Sequence, residues 1–243
     1  MSDFSVHAVP GLPEVGLGDD LAPLLAERVG LHAGDVLVVA HKVVSKAEGR
    51  VRELASVEPG KRARELAFEY DKDPRLVQVV LDETSSLLRA DHGVLICETH
   101  HGLICANAGV DRSNAPEDHA ILLPSDPDRS ARELRARLPG RPAVVISDSF
   151  GRAWRLGQVD VAVGAAGLVV LDDWRGRADC HGRELRATAL ATADAVAAAA
   201  DLARRKDARE PAVLVRGLER LVTEEDGPGA ASLRRPAEKD LFR

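Results

Sequence analysis

The sequence predicts an α+β protein of mixed sheets and helices, and three observations predict it. Short apolar, β-branched runs such as DVLVVA (35–40), VVI (144–146) and AVLVR (212–216) read as buried strands. Helical patterns fall among them without the regular strand–helix–strand rhythm of a doubly wound sheet. The chain has 243 residues, 45% of them hydrophobic and 30% charged. That length suits one large domain or two small interlocked ones, with roughly 70–75% of the unfolded surface buried on folding.

Taken in order, DDLAPLLAERVG (19–30) has the acidic first turn and glycine stop of a short helix. DVLVVA follows as a strand. KRARELAFEYDK (61–72) and PRLVQVVLDET (74–84) read as helices. GVLICET and LICANAG, parted by HHG, read as a hairpin over about 93–109. DPDRSARELRARL (126–138) is an amphipathic helix with Asp126 or Ser130 as its cap. A strand over 143–147 precedes a Gly/Ala/Val-rich run at 161–171, whose glycines imply close packing. ATALATADAVAAAADLARRKD (187–207) is the longest helical signal, with Leu190, Ala193, Val196, Ala197 and Ala200 on one face. AVLVR is the last strand.

Composition excludes several roles. Aromatic residues make up only 3%, too few for a base-stacking platform. A net charge of −6 argues against the basic face of a nucleic-acid binder, although a local Lys/Arg cluster can still hold a nucleotide. Cys97, Cys105 and Cys180 form no CxxC pair, as expected in a reducing compartment. Cys97 and Cys105 lie in apolar runs and read as buried, inert thiols. MSDFSVHAVPGLPEVG lacks the basic start and apolar run of a signal peptide, and no segment approaches the roughly 18 apolar residues of a membrane span. The expectation is a cytoplasmic protein that does not engage membranes.

Standard phosphate loops are missing, and GPGAAS (227–232) reads as a plain turn. Four segments carry candidate chemistry. In GLPE (11–14), Gly11 and Pro13 shape a loop able to present backbone N–H groups, or a simple turn. AHKVVSK (40–46) places Lys42 and Lys46 four apart after a strand, where lysines meet phosphate or simply solvent. ANAGVDRSNAP (106–116) crowds Asn107, Asp111, Ser113 and Asn114 into one loop, suited to Mg²⁺ or Mn²⁺ or to a metal-free Asx turn. In SDSFGRAWRLGQVD (147–160), Asp148 and Ser149 fall where the strand should end, with Arg152 and Arg155 close behind. An acid and a hydroxyl there would hold a cation, and the arginines its phosphates. Asp111 and Asp148 would then share one ion. The histidines, including His100–His101, lack metal-ligand spacing.

Together GLPE, KVVSKAEGR, GLICANAGVDRSN, SDSFGRAWRLGQVDVAVGAAG and the terminal DLFR resemble the coenzyme F420-0:L-glutamate ligase family, over about residues 9–243. These are the γ-glutamyl ligases of deazaflavin cofactor biosynthesis. The resemblance implies a ligase dependent on GTP and on Mg²⁺ or Mn²⁺, with K⁺ as a further ion. It would join L-glutamate to the phospholactyl carboxylate of F420-0, then add further γ-linked glutamate. An α+β fold particular to the family and an intertwined homodimer are also implied. By position, Gly11, Leu12, Pro13, Glu14, His41, Lys46 and Asn114 match GTP-contacting places, and Asp111, Asp148 and Ser149 match metal-binding places. His41 stands where related sequences often carry Ser. ARRKDARE (203–210) replaces a more glycine-containing segment, and a charged Lys206 is no metal ligand. The chain stops at Asp240-Leu241-Phe242-Arg243, which suggests one ligase domain over 1–243 without a C-terminal flavin domain.

The implied reaction is chemically coherent. A carboxylate is a poor acylating agent and must first become an acyl phosphate, with metal ions offsetting phosphate charge during the transfer. Arg152, as the catalytic candidate, would hold the remaining negative oxygens; this role comes from the chemistry and not from the resemblance. The runner-up is a metal-dependent phosphohydrolase, with water as the nucleophile. A third reading is a nucleotide-sensing or scaffold protein that binds without turnover.

Overall fold

The computed structural model describes residues 4–205 and 207–240. Along the chain, β1 (Ser5–Val9), α1 (Leu21–Ala26), β2 (Val36–Ala40) and α2 (His41–Ala47) lead into β3 (Val51–Glu53), α3 (Lys61–Glu69) and α4 (Pro74–Asp82). β4 (Thr84–Asp91), β5 (Val94–Thr99), β6 (Ile104–Ala106) and β7 (His119–Ile121) precede α5 (Pro127–Arg137). β8 (Ala143–Arg152), β9 (Arg155–Ala166), β10 (Asp172–Asp173), β11 (Ala189–Leu190), α6 (Thr192–Ala203) and β12 (Ala212–Arg216) complete it.

The central sheet has the order β1-β12-β2-β8-β9. β2 and β8 run parallel, and every other neighbouring pair is antiparallel. Val36 to Val39 are all fully buried, because helices cover both faces of the sheet. Leu37, Val39, Val144 and Ile146 pack with Leu25 of α1, Val44 of α2 and Leu134 of α5. Val36, Val38, Val145 and Val213 pack with Ala193, Val196, Ala197 and Ala200 of α6. Such two-sided cover explains why these strands read as continuous apolar runs. A separate cluster joins α3 and α4 to β5 through Leu66, Val77, Val80, Leu95 and Cys97. The α+β expectation therefore holds.

Local chemistry sets the helix starts. Asp20, Asp73 and Asp126 accept hydrogen bonds from the N–H groups of Ala22, Arg75 and Arg129, at 3.1, 2.9 and 3.0 Å. Asp126 is thus the cap of α5, while Ser130 lies inside the helix and donates to Glu48. The hairpin of β5 and β6 forms and places Cys97 opposite Cys105, but its second strand ends at Ala106, where Asn107–Gly109 close into a 3₁₀ turn. Burial, then the charge of Asp148, pushes the Cys105 thiol up to about 12, which keeps it protonated and inert.

Three further expectations need correction. The long alanine-rich helix begins only at Thr192, because residues 189–190 pair with β10 and leave Leu190 exposed. It ends at Ala203, where Arg204 turns to an extended conformation. Third, β8 does not stop at residue 147. It runs to Arg152, held by antiparallel pairing with β9 up to Arg152↔Arg155. Asp148 and Ser149 therefore lie within a strand: cross-strand hydrogen bonding, and not burial, keeps this polar stretch extended.

The glycine-rich run packs closely, as predicted. A Cβ on Gly164 would come 2.3 Å from the Pro127 carbonyl oxygen, so only glycine lets β9 approach α5. The GPGAAS segment is not a plain turn: its second half enters a 3₁₀ helix over Ala230–Leu233, and the Asp128 carboxylate anchors that start by accepting from Ala230 N at 2.7 Å and Ala231 N at 3.0 Å. Among the described residues, no helix is long and apolar enough to cross a membrane.

Candidate functional site

Because β2 and β8 are parallel, with Ala40 level with Ser147, their C-terminal ends open at the same edge of the sheet. Such an edge is where parallel strands commonly receive ligands. A cavity of about 870 Å³ lies there, of small-molecule size. The 12–15 loop, the start of α2, the loop after Asp111, the polar part of the β8–β9 hairpin and the segment after α6 all contribute to its walls.

Leu12, Pro13 and Glu14 line the cavity, and Gly11 holds the loop from behind, its carbonyl accepting from Arg28 Nε at 2.9 Å. His41, 1% exposed, sits at the head of α2. Its Nδ1 lies 3.3 Å from Ser45 Oγ. Its Nε2 is 3.3 Å from Asp148 Oδ1 but outside hydrogen-bond alignment, and so has no hydrogen-bond partner. Lys42 Nζ donates to Asp111 Oδ2 at 2.6 Å and also to Ser113. Lys46 Nζ donates to Glu14 Oε1 at 2.5 Å. Both lysines thus face the cavity as cations.

Asp111 is not loosely held. Its backbone bridges Ile121 through two hydrogen bonds, of 3.0 and 2.8 Å. Ser113 donates to its carboxylate through both N–H and hydroxyl. Burial works to raise the Asp111 pKa, but the hydrogen bonds from Lys42 and Ser113 outweigh it and leave the carboxyl below its ordinary value. Asn114 follows in the left-handed region at φ 58°, which asparagine tolerates, and lines the same cavity.

On the β8–β9 hairpin, Asp148 faces His41, while Ser147 and Ser149 face Asp160. Arg204, at the end of α6, reaches across to Asp160 and donates to Ser147 Oγ at 3.0 Å. Burial lowers the Arg204 pKa, against the charge of Asp148, which raises it. One arm, Nη1, is buried without a hydrogen-bond partner.

The structure brings together Leu12, Pro13, Glu14, His41, Lys46, Asp111, Asn114, Asp148 and Ser149. Arg152 does not line this cavity: it lies at the tip of the hairpin and donates to Leu156 O at 2.7 Å. Arg155, paired with it across the tip, is likewise outside. Among the described residues of the segment after α6, the cationic side chains that line it are Arg204, Arg205 and Arg209. Lys206 and residues 241–243 lie outside the described residues. Sequence reasoning left Ser147, Asp160 and Arg204 without roles. The alternation of Gln158, Asp160 and Ala162 with Val159, Val161 and Val163 was the available signal that Asp160 shares a strand face with its polar partners.

No group of three or more His, Cys, Asp or Glu side chains suited to a metal occurs among the described residues. Mg²⁺, however, commonly uses one or two carboxylates together with substrate phosphates and water. Asp111, Asp148 and Ser149 bring oxygens of that kind to the cavity, and Asp111 already pairs with one cation, the ammonium of Lys42.

Fold and site define an α+β protein with a small-molecule cleft in which lysines and arginines stand over carboxylates and hydroxyls. The profile of the F420-0:Gamma-glutamyl ligase family matches residues 11–217. A coenzyme F420:L-glutamate ligase of Methanopyrus kandleri is 47% identical, covering 98% of this chain and 97% of its own length. That of Methanothermobacter thermautotrophicus is 43% identical over 99% of both chains. That of Natronomonas pharaonis is 48% identical, over 86% of this chain and 84% of its own. The chain belongs to the F420-0:gamma-glutamyl ligase family, a family of ligases.

Proposed function

We propose that this protein is a GTP-dependent ligase that joins L-glutamate to the phospholactyl carboxylate of F420-0 and then adds further γ-linked glutamate. The observation that carries the reading is convergence: the family match spans 11–217, and its separate polar segments meet at one cavity. Lys46, oriented by its ion pair with Glu14, and the backbone of the 12–15 loop bind and orient the nucleotide phosphates. Asp111, Asp148 and Ser149 would hold Mg²⁺ or Mn²⁺, which when bound offsets phosphate charge. K⁺ belongs to the same proposal as a further ion. Lys42, engaged with Asp111, is placed to turn toward anionic oxygens once that carboxylate has another cation. Arg205 and Arg209, after α6, hold the negative phosphoryl oxygens while the F420-0 carboxylate attacks the γ-phosphorus and GDP leaves; the amine of glutamate then attacks the acyl phosphate and inorganic phosphate leaves.

The homodimer is part of this proposal. The tip of the β8–β9 hairpin carries Trp154 at 82% and Leu156 at 97% exposure, apolar surface that a partner would cover. Any role of Arg152 in phosphate binding would then be exercised from this arm. We place the enzyme in the cytoplasm, the reducing compartment that its unpaired cysteines fit.

The test is to incubate protein, F420-0, GTP, L-glutamate and Mn²⁺ and follow products by mass spectrometry. The expected result is a mass increase of one glutamyl unit, with GTP consumed only when glutamate is present. GTP hydrolysis that ignores glutamate would instead support a phosphohydrolase, a reading that family membership does not favour. Binding without turnover would support a sensor.

A further inference from the structure

Asp160 is 1% exposed and sits in β9 directly opposite Ser149 of β8. A buried carboxylate in a strand whose neighbours are Val159 and Val161 is costly unless several donors meet it. Here they do. Ser149 Oγ donates to Oδ1 at 2.6 Å, Ser147 Oγ donates to Oδ2 at 2.8 Å, and Arg204 Nη2 donates to the same Oδ2. Arg204 also donates to Ser147, so the four groups form a closed network at the cavity wall. A serine hydroxyl has one hydrogen. With that hydrogen committed to Asp160, the oxygen of Ser149 can act toward the cavity only as an acceptor, the state a hard cation requires.

We propose that Asp160 is a positioning residue: by taking the hydroxyl hydrogen of Ser149, it presents that oxygen as a ligand for a divalent cation. The inference rests on the reading that Asp111, Asp148 and Ser149 hold such an ion. Arg204 holds Asp160 in place by donating to its Oδ2, and Ser147 braces the same oxygen. Outer partners of this kind typically change metal affinity by roughly 10–100-fold when removed.

The experiment measures Mn²⁺ binding directly, by the electron paramagnetic resonance signal of the free ion, with GTP present and without the other substrates. Asp160→Asn should weaken Mn²⁺ by roughly 10–100-fold. Its side-chain amide can donate to Ser149 and so turn the hydroxyl hydrogen outward. Ser149→Ala should weaken Mn²⁺ to a similar degree, and the double variant should be no worse than Ser149→Ala alone, since the two act as one unit. In turnover, Asp160→Asn should raise the Mn²⁺ concentration needed while kcat recovers at saturating Mn²⁺. A purely structural role would lower the melting temperature without moving that requirement, and would overturn the proposal. Should Asp160→Asn not fold, Asp160→Asn with Arg204→Met removes the buried cation together with its partner, and the double variant is read by Mn²⁺ binding alone. Mn²⁺ binding lost in Asp148→Ala but unchanged in Asp160→Asn overturns this inference alone. No Mn²⁺ binding by the wild type overturns the metal reading beneath it as well.

Discussion

Replacing Lys46 with methionine tests the nucleotide reading at one atom. The Lys46 side chain is only 12% exposed while its partner Glu14 is 70% exposed, so the stem is packed and the ammonium is delivered to the cavity wall with little freedom to lose. Methionine has a similar reach and apolar stem, so packing should survive. A hydrogen bond to a charged group contributes about 1.5–3 kcal/mol. At about 1.4 kcal/mol per factor of ten, the KM for GTP should rise roughly 10–150-fold. The lost pair with exposed Glu14 contributes at most about 1 kcal/mol to stability, and the Glu14 charge left beside the phosphates acts in the same direction as the lost ammonium. Initial rates over a GTP series, at saturating glutamate and F420-0, should show that rise with kcat within about threefold and the KM for glutamate little changed. An unchanged KM for GTP, or an equal rise in the KM for glutamate, would refute the assignment.

Other outcomes follow from the same geometry. Asp111→Ala and Asp148→Ala should each abolish ligation while leaving a cooperative thermal transition, since both acids lie at the cavity and outside the apolar core; near-normal turnover of either at saturating Mn²⁺ would count against a shared ion. Gly164→Ala must push β9 off α5, because its Cβ would meet the Pro127 carbonyl at 2.3 Å; denaturant titration should show a loss of about 1–3 kcal/mol or more. Burial holds His101 below its ordinary 6.5, with Ser125 opposing that shift, and its Nδ1 is buried without a hydrogen-bond partner. The folded state therefore binds fewer protons there than the unfolded one. Its contribution to stability is present above 6.5 and lost as pH falls below that value; His101→Gln should flatten the melting temperature against pH in that range.

Much of this protein was written in local pattern. The apolar runs at 36–40, 143–147 and 212–216 announce strands covered on both faces, and Asp20, Asp73 and Asp126 announce helix starts, because burial periodicity and capping depend on residues within one or two turns of each other. Leu12, Pro13, Glu14, Lys46, Asp111 and Asp148 were legible as candidates from residue type and resemblance, and all line one cavity. What sequence could not decide is which distant groups meet. The extension of β8 to Arg152 depends on pairing with β9. The burial of His41 depends on the parallel alignment of β2 with β8, and the Asp160 network depends on Arg204, 44 residues away in sequence. The same pairing places Arg152 at an exposed hairpin tip, away from the cavity wall. Hydrogen bonds and ion pairs reach only a few ångströms, so their partners are selected by strand register and helix packing, which exist only once the whole chain has folded.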